Sequence, residues 1–323
     1  MLFITNRTLN EGKISKADRK VTFSLGDTEA QQSVFFCQRS GSGKYTELTS
    51  GPFFAKLKAA KAEQILLYIH GFSNQPEPDV FPRAEALQEL LDAANPGLVL
   101  VVPLIWPCDD DPGVLKDYWD DQKAADASAF AFARVFGKFM DWRGGAANVE
   151  VPCLKRINVL AHSMGNRVLR EALSTVVRYD FPDGVPLLFR NTFLVAADIV
   201  NESLERSEGG QHICESARNV CVYFASDDLA LRASKVANLK NKVASRRLGH
   251  TGPEDMSKVP ANVYAVDCDN LNTKYDSPKG HSYFMYDEKG KGPGKVFEHI
   301  RTTIVDGRVP VGKDFKERQV VLK

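Results

Sequence analysis

Short, continuously apolar segments recur along this chain and alternate with amphipathic stretches of helical period. Six such segments span residues 65–69, 99–102, 157–161, 193–197, 220–224 and 262–266. Strands have this composition when helices cover both faces of a parallel sheet and bury every side chain. The alternation therefore predicts an α/β fold with a mostly parallel central sheet and helices on both faces.

Two further patterns complete the predicted architecture. Segments 2–6 and 33–38 have the composition of strands and predict an antiparallel N-terminal edge, and 167–179 and 229–239 have helical periodicity. No internal repeat and no Gly-, Ser- or Pro-rich linker marks a boundary. We therefore expect a single large domain over residues 1–323.

Composition and charge exclude several classes of protein. The chain carries 42 Lys and Arg against 41 Asp and Glu, and 43% of its residues are hydrophobic, which fits neither a nucleic-acid binder nor a disordered chain. Its six cysteines form no Cys-x-x-Cys motif, and the N-terminus has no signal-peptide pattern, so we expect a cytoplasmic protein with reduced thiols. The longest apolar run, 98–107, is about half of the roughly 20 residues that span a bilayer, so no membrane span is expected.

A candidate nucleophile lies between the strand 157–161 and the helix that follows it. The sequence there is Ala161-His-Ser163-Met-Gly165. On a sharp strand-to-helix turn a serine projects above the sheet edge, and small residues two positions to either side leave room for the backbone. The helix N-terminus adds N–H groups and partial positive charge where an oxyanion forms. We interpret Ser163 as a nucleophile rather than as a buried structural serine.

The strand 65–69 ends in His70-Gly71-Phe72, which suggests an oxyanion loop. In α/β hydrolases one oxyanion donor comes from this loop and the other from the residue after the nucleophile, here the N–H groups of Phe72 and Met164. We also consider His70 and Gly71 candidate pocket residues. The alternative is an ordinary strand-ending glycine beside a hydrogen-bonded His70.

A serine hydroxyl needs a general base, and the chain offers six histidines. The order Ser, acid, His places the base late in the chain, which leaves three of them. His281 is favoured because it lies in a loop beside a glycine, after the strand 262–266. His250 is the second choice, and His299 falls in a helical pattern.

The acid that orients the base should follow a strand between the serine and the histidine. Asp227 and Asp228 follow the strand 220–224, and Asp198 follows the strand 193–197. Chain order favours Asp228, which adjoins the helix beginning near Leu229. Asp227, as a helix-capping residue, and Asp198, which is also a candidate pocket residue, stay open as alternatives.

An aromatic-rich helical excursion over residues 106–150 separates two of the strands and contains all three tryptophans. We interpret it as a candidate lid or pocket wall, with Trp119, Phe132 and Trp142 facing an acyl chain. The alternative is that these rings pack a helix onto the sheet, because aromatic side chains at helical spacing usually belong to a core.

Six segments of the chain carry a resemblance to a known family. They are Phe3-Ile-Thr-Asn-Arg7, Leu67-Tyr-Ile-His70-Gly71-Phe72, Leu160-Ala-His-Ser163-Met-Gly-Asn166, Tyr223-Phe-Ala-Ser226-Asp-Asp228-Leu-Ala-Leu231-Arg-Ala-Ser234, Arg247-Leu-Gly249 and Gly280-His281-Ser-Tyr-Phe284. With them the chain resembles the α/β-hydrolase superfamily and, within it, a bacterial family catalogued as a domain of unknown function, number nine hundred. The resemblance implies a Ser163, Asp228, His281 triad with oxyanion donors at Phe72 and Met164. Ala161 departs from the commoner Gly-x-Ser-x-Gly form.

These residues predict a serine hydrolase, carboxylesterase or lipase-like, that cleaves small-molecule carboxylic esters through an acyl-enzyme. The sequence contains no His-x-x-x-His, phosphate-loop or dinucleotide motif, so we expect no metal and no cofactor. An acyltransferase or peptidase with the same triad and a non-catalytic α/β-hydrolase-like binding scaffold are the alternatives. Amides, thioesters and lactones are alternative substrates, since the fold does not choose between them.

Overall fold

The structure, a computed structural model, describes residues 1–108, 114–239, 246–311 and 318–323. Residues 109–113 of the predicted excursion lie outside this part of the chain. The chain divides into two compact units, one comprising Met1–Ile157 and Glu171–Asp183 and the other Asn158–Arg170 and Gly184–Lys323. The single domain over 1–323 stays a prediction.

The first unit contains a mixed sheet in the strand order β5-β6-β1-β3-β4-β2. Its strands are β1 (Leu2–Thr5), β2 (Arg19–Val21), β3 (Phe35–Gly41), β4 (Lys44–Glu47), β5 (Gln64–Ile69) and β6 (Val99–Ile105). Strand β6 pairs in parallel with β5 and with β1. The pairs β1–β3, β3–β4 and β4–β2 are antiparallel, which is the edge that the N-terminal pattern predicted.

Five helices lie wholly within the described residues of the first unit. They are α1 (Ser50–Ala59), α2 (Phe81–Ala94), α3 (Val114–Ala127), α4 (Ala129–Gly144) and α5 (Ala146–Glu150), and a π-helical turn over Pro76–Val80 leads into α2. The rings of Phe139 and Trp142 on α4 lie 5.6 and 5.4 Å from the ring of Phe54 on α1. Aromatic contacts of this kind bury large apolar surfaces and hold α4 against α1.

The second unit contains a parallel sheet in the order β7-β8-β9-β10-β11. Its strands are β7 (Arg156–His162), which begins in the first unit, β8 (Phe189–Val195), β9 (Ala217–Phe224), β10 (Val263–Asp267) and β11 (Gln319–Val321). The helices are α6 (Gly165–Tyr179), which ends in the first unit, α7 (Gln211–Glu215), α8 (Leu229–Leu239), α9 (Leu248–Thr251), α10 (Asn272–Tyr275) and α11 (Lys295–Asp306).

Strand β8 differs from its predicted position at both ends. It begins earlier than predicted because buried amides replace apolar side chains: Asn191 Nδ2 donates to Asn158 Oδ1, and Asn219 Nδ2 donates to Asn191 Oδ1, both at 2.8 Å. It ends earlier because Ala196 has a φ of 45°, which turns the chain out of the strand.

A mostly parallel sheet with helices and an antiparallel edge confirms the predicted α/β fold class. Within the described residues, no helix combines the length and the apolar composition that crossing a bilayer requires.

Candidate active site

Ser163 lies on a sharp turn between the end of β7 and the start of α6. Its φ is 53°, in the left-handed region that residues other than glycine rarely adopt. Five hydrogen bonds hold this backbone. The Ser163 N–H donates to Val195 O (3.0 Å), and Ser163 O accepts the N–H groups of Asn166 (3.1 Å) and Asp198 (3.2 Å); Asn166 Nδ2 donates to Ser163 O (2.9 Å) and to Ala161 O (3.0 Å). The neighbouring strand and one buried amide therefore fix the turn.

Met164 follows Ser163 immediately before the first residue of α6. Its side chain is fully buried, and its backbone N–H has no acceptor within the described residues. An unpaired amide at a helix N-terminus is a donor for a negatively charged oxygen. The oxyanion role of Met164 stays a prediction.

His281 contacts one of the three candidate acids. Its Nδ1 lies 2.7 Å from Asp228 Oδ2, and Asp228 is fully buried. The other carboxylate oxygen, Oδ1, accepts the Leu231 N–H at 3.0 Å. Because a carboxylate only accepts hydrogen bonds, His281 donates through its Nδ1–H, and Nε2 is the ring nitrogen that does not bond Asp228.

The two alternative acids have other partners. Asp227 Oδ1 accepts Asn272 Nδ2 at 2.5 Å. Asp198 accepts the Ser234 hydroxyl at 2.6 Å and forms an ion pair with Arg247 at 3.1 Å, with both charged side chains almost fully buried. Asp198 therefore has its charge balanced by Arg247, and its carboxylate does not orient His281.

The residue before the serine connects the turn to His281. The ring of His162 lies 4.9 Å from the ring of His281, and His162 Nε2 lies 3.1 Å from the His281 carbonyl oxygen. No hydrogen bond joins the Ser163 hydroxyl to His281 in the described part of the chain. Such catalytic hydrogen bonds are often long outside the substrate complex.

The remaining candidate histidines lie in helices. His250 is in α9 and His299 is in α11. His299 Nδ1 accepts the Tyr223 hydroxyl at 2.8 Å, its Nε2 donates to Pro310 O at 3.1 Å, and burial lowers its pKa. Both ring nitrogens of His299 are thus engaged in structural bonds.

The predicted oxyanion loop belongs to the first unit. His70 is fully buried; its Nδ1 donates to Gly71 O at 2.8 Å and its Nε2 accepts the Trp106 N–H at 3.2 Å. Burial lowers the pKa of His70 to about 3, so the ring stays neutral. The Phe72 N–H has no acceptor within the described residues, whereas the next amide, that of Ser73, donates to Asp121 Oδ2 at 3.0 Å.

The aromatic residues of the excursion have packing partners in the first unit. Trp142 contacts Phe54 and Phe139, and Phe132 is almost fully buried. Trp119 is half-buried. The pocket role of Trp119 and Trp142 stays a prediction.

Sequence reasoning missed three residues that contact the segment around His281. Asp276 Oδ2 accepts the N–H groups of His281 and Ser282, Asn272 Nδ2 donates to Gly280 O at 3.2 Å, and His162 contacts His281 as described. The one available signal was Asp276 itself, because aspartate in a turn commonly accepts the backbone N–H groups that follow it.

Within the described residues, no group of three or more His, Cys, Asp and Glu side chains is arranged to hold a metal ion. A cleft of about 470 Å³ in the first unit is lined by residues 58, 61–63 and 152–156 and contains none of the predicted site residues.

A protein-family model described as "Alpha/beta hydrolase of unknown function (DUF900)" matches residues 48–289. This range includes Phe72, Ser163, Met164, Asp228 and His281. No curated protein matches the chain.

Proposed function

Because the chain belongs to this family of α/β hydrolases of unknown function, we propose that it is a serine hydrolase that cleaves carboxylic esters with Ser163, His281 and Asp228. The observation that carries the proposal is the 2.7 Å contact of His281 Nδ1 with the fully buried Asp228, beside a serine whose φ is 53°. A strained serine at a strand-to-helix turn is the geometry of a nucleophile elbow.

In the first half of the proposed reaction, Ser163 Oγ attacks the ester carbonyl carbon. His281 Nε2 takes the hydroxyl proton, and the Asp228 carboxylate stabilises the resulting imidazolium through Nδ1–H. The tetrahedral intermediate then collapses: the C–O bond to the alcohol breaks, and His281 gives its proton to the leaving alkoxide. The product is an acyl-Ser163 ester.

In the second half, His281 takes a proton from water, and the hydroxide oxygen attacks the acyl carbon. The intermediate releases the carboxylic acid, and Ser163 recovers its proton from His281. The Met164 N–H, which is unpaired in the described chain and lies before α6, supports its assignment as one oxyanion donor. The Phe72 N–H, also without an acceptor in the described residues, is assigned as the second.

Esters are the proposed substrate class because an alkoxide leaves more easily than an amide nitrogen and needs less acid assistance. This makes the protein a carboxylesterase or a lipase-like enzyme. His70 takes no part in the reaction, because a ring with a pKa of about 3 and both nitrogens hydrogen-bonded neither gains nor loses a proton near neutral pH.

A fluorophosphonate probe tests the proposal directly. We expect the purified protein to be labelled at Ser163, located by peptide mass spectrometry, and Ser163→Ala and His281→Ala to remain unlabelled. Asp228→Asn should slow labelling by on the order of 10³- to 10⁴-fold, because the wrong histidine tautomer is then favoured.

Two matched variants make this test specific. Asp227→Asn changes the adjacent carboxylate in the same way, and His250→Ala removes the alternative base; both should retain the labelling rate of the unaltered protein. A folded protein that is not labelled would contradict the proposal and favour a binding scaffold. If Ser163 is labelled, p-nitrophenyl esters of graded acyl length then define the substrate.

A further inference from the structure

We infer that His162 and Asp276 are positioning residues that hold the backbone of His281, so that its ring stays aligned between Asp228 and Ser163. This inference rests on the proposed function, because it concerns the residue that acts there as general base. The two side chains bond opposite ends of the same residue: Asp276 accepts the His281 N–H, and His162 Nε2 lies against the His281 carbonyl.

Asp276 accepts the hydrogen bond on the amino side of His281. Its Oδ2 accepts the N–H of His281 at 2.8 Å and the N–H of Ser282 at 2.7 Å. The intervening turn is closed by its own backbone, since the Gly280 N–H donates to Asp276 O at 2.5 Å. One carboxylate thus fixes two successive peptide planes, and hydrogen bonds to a charged acceptor are stronger than those between neutral groups.

His162 makes the hydrogen bond on the carboxyl side of His281. The side chain of His162 is 3% exposed. Its Nε2–H donates a hydrogen bond to the His281 carbonyl oxygen at 3.1 Å, since a carbonyl oxygen can only accept. The His162 ring also packs against the rings of His281 and Phe284, with centroids 4.9 and 5.1 Å apart. As the last residue of β7, His162 links the loop of His281 to the strand that carries Ser163.

The loop before His281 has bonds of its own, from the Leu229 N–H to Lys279 O (3.1 Å) and from Asn272 Nδ2 to Gly280 O (3.2 Å), but neither bond reaches His281 itself. Residues 277–279 are exposed, and Gly280 has a φ of 63° with its ideal Cβ position 2.6 Å from Asn272 Nδ2. A general base works only when its ring stays within hydrogen-bond reach of the proton it takes, and a shift of about 1 Å lowers a rate by about 100-fold. The titratable groups that face His281 are Asp228, Asp276 and His162.

Paired substitutions separate the hydrogen bonds from the bulk of the side chains. His162→Leu and Asp276→Ala remove the bonds, whereas the amide of His162→Gln and the carbonyl of Asp276→Asn can remake them. With the p-nitrophenyl ester that the unaltered protein cleaves fastest, we expect His162→Leu and Asp276→Ala to lower kcat about 10- to 100-fold with KM nearly unchanged. We expect the second pair to recover kcat to within about 3-fold of the unaltered protein.

The pH profile supplies a readout that a purely structural role would leave unmoved. Weaker alignment with Asp228 destabilises the His281 imidazolium. The acid limb of kcat/KM should therefore lie at lower pH in His162→Leu than in His162→Gln, and at lower pH in Asp276→Ala than in Asp276→Asn, which removes the same carboxylate charge. The matched control is Asp287→Ala, because Asp287 Oδ1 likewise accepts backbone N–H groups of its own turn, at Lys289 and Lys291, and has no bond to His281 in the described residues. Its kcat and pH profile should equal those of the unaltered protein.

The outcomes separate this inference from the proposed function. Absence of labelling at Ser163 in the unaltered protein would contradict the proposed function itself. Normal labelling together with unchanged kcat and pH profile in His162→Leu and Asp276→Ala would overturn the positioning roles, as would failure of the Gln and Asn variants to recover kcat or an equal loss in Asp287→Ala. If His162→Leu does not fold, His162→Asn, whose amide is too short to reach the carbonyl, takes its place beside His162→Gln.

Discussion

The backbone conformation at Ser163 is unfavourable for any residue with a Cβ, yet the proposed chemistry needs a serine side chain there. A φ of 53° is open to glycine at almost no cost, whereas a residue with a Cβ loses about 1–2 kcal/mol there. The Ser163 N–H donates to Val195 O, and Ser163 O accepts from Asn166 and Asp198; these bonds keep the turn in place despite the strain. Strain of this kind persists only where the surrounding structure determines the backbone, and it is found most often at functional sites.

Two inactive variants measure this strain. Ser163→Ala and Ser163→Gly both remove the hydroxyl, so neither should be labelled by the fluorophosphonate probe. Only Ser163→Ala keeps the Cβ that the positive φ disfavours, so we expect Ser163→Gly to be the more stable by about 1 kcal/mol in urea unfolding. Equal stabilities would show that Ser163 is not strained.

A second residue-level prediction concerns His70. Burial holds its pKa at about 3, below the 6.5 that it has when exposed, so the unfolded chain takes up the proton first as the pH falls. The stabilisation is therefore present above pH 6.5 and is lost progressively toward pH 3. At pH 5 the loss of unfolding free energy is about 2 kcal/mol. His70→Gln, which does not titrate, should show a smaller loss of stability between pH 7 and pH 5. His299, whose pKa is also lowered, contributes equally to both proteins and cancels. An equal loss in both would contradict the prediction.

At the scale of elements, the helix α9 packs against the end of β8 through a glycine. A methyl group on Gly249 would lie 2.1 Å from Ala197 N and 2.2 Å from Ala196 C. The Gly249 N–H also donates to Ala197 O at 2.9 Å, so the two backbones meet directly. Only a residue without a side chain permits this approach.

A pair of glycine substitutions tests this packing. Gly249→Ala should destabilise the protein by about 1–3 kcal/mol or more, because backbone atoms must move to admit the methyl group. Gly137→Ala, within α4, meets nothing within 4 Å and should stabilise by about 0.5–1 kcal/mol through helix propensity. Thermal or urea unfolding gives both values. A tolerated Gly249→Ala would show that α9 does not pack as described.

The elements that the sequence predicted well are those with either a continuous apolar run or a clear helical period. The apolar strands β5, β6, β7, β9 and β10 and the helix α8 lie at their predicted positions to within a few residues. The sequence did not reveal β2, β4 and β11, which are three or four residues long, because period and hydrophobicity carry little information over so few residues. The amide ladder through Asn158, Asn191 and Asn219 shows the same limit, since buried polar groups are stabilised by partners from other strands.

The site divides in a similar way. The turn at Ser163 was predictable because its whole motif is local, between one strand and one helix. The choice between Asp227 and Asp228 was open because chain order is nearly the same for adjacent residues, whereas their hydrogen bonds differ: Asn272 for the first and His281 for the second. The contacts of Asp276 and His162 with His281 depend on loop conformation and on a distant strand, which no spacing in the sequence encodes.

At the scale of the whole molecule, the six thiols are distributed evenly over the two compact units. Cys37, Cys108 and Cys153 lie in the first and Cys214, Cys221 and Cys268 in the second, and all six are buried. Burial raises the pKa of Cys37, Cys221 and Cys268, and it raises that of Cys214 to about 12. A buried thiol reacts only after its surroundings open, so alkylation of each cysteine reports unfolding of its own unit.

These thiols test the prediction that residues 1–323 form a single domain. The division between the units cuts through β7, after Ile157, and through α6, after Arg170, so unfolding of either unit breaks a strand and a helix of the other. We therefore expect brief iodoacetamide pulses at increasing urea concentration, read by peptide mass spectrometry, to label all six cysteines with one common midpoint. The fully unfolded chain gives the reference for complete labelling. Two midpoints, one for each set of three cysteines, would show that the units unfold independently and that the chain consists of two domains.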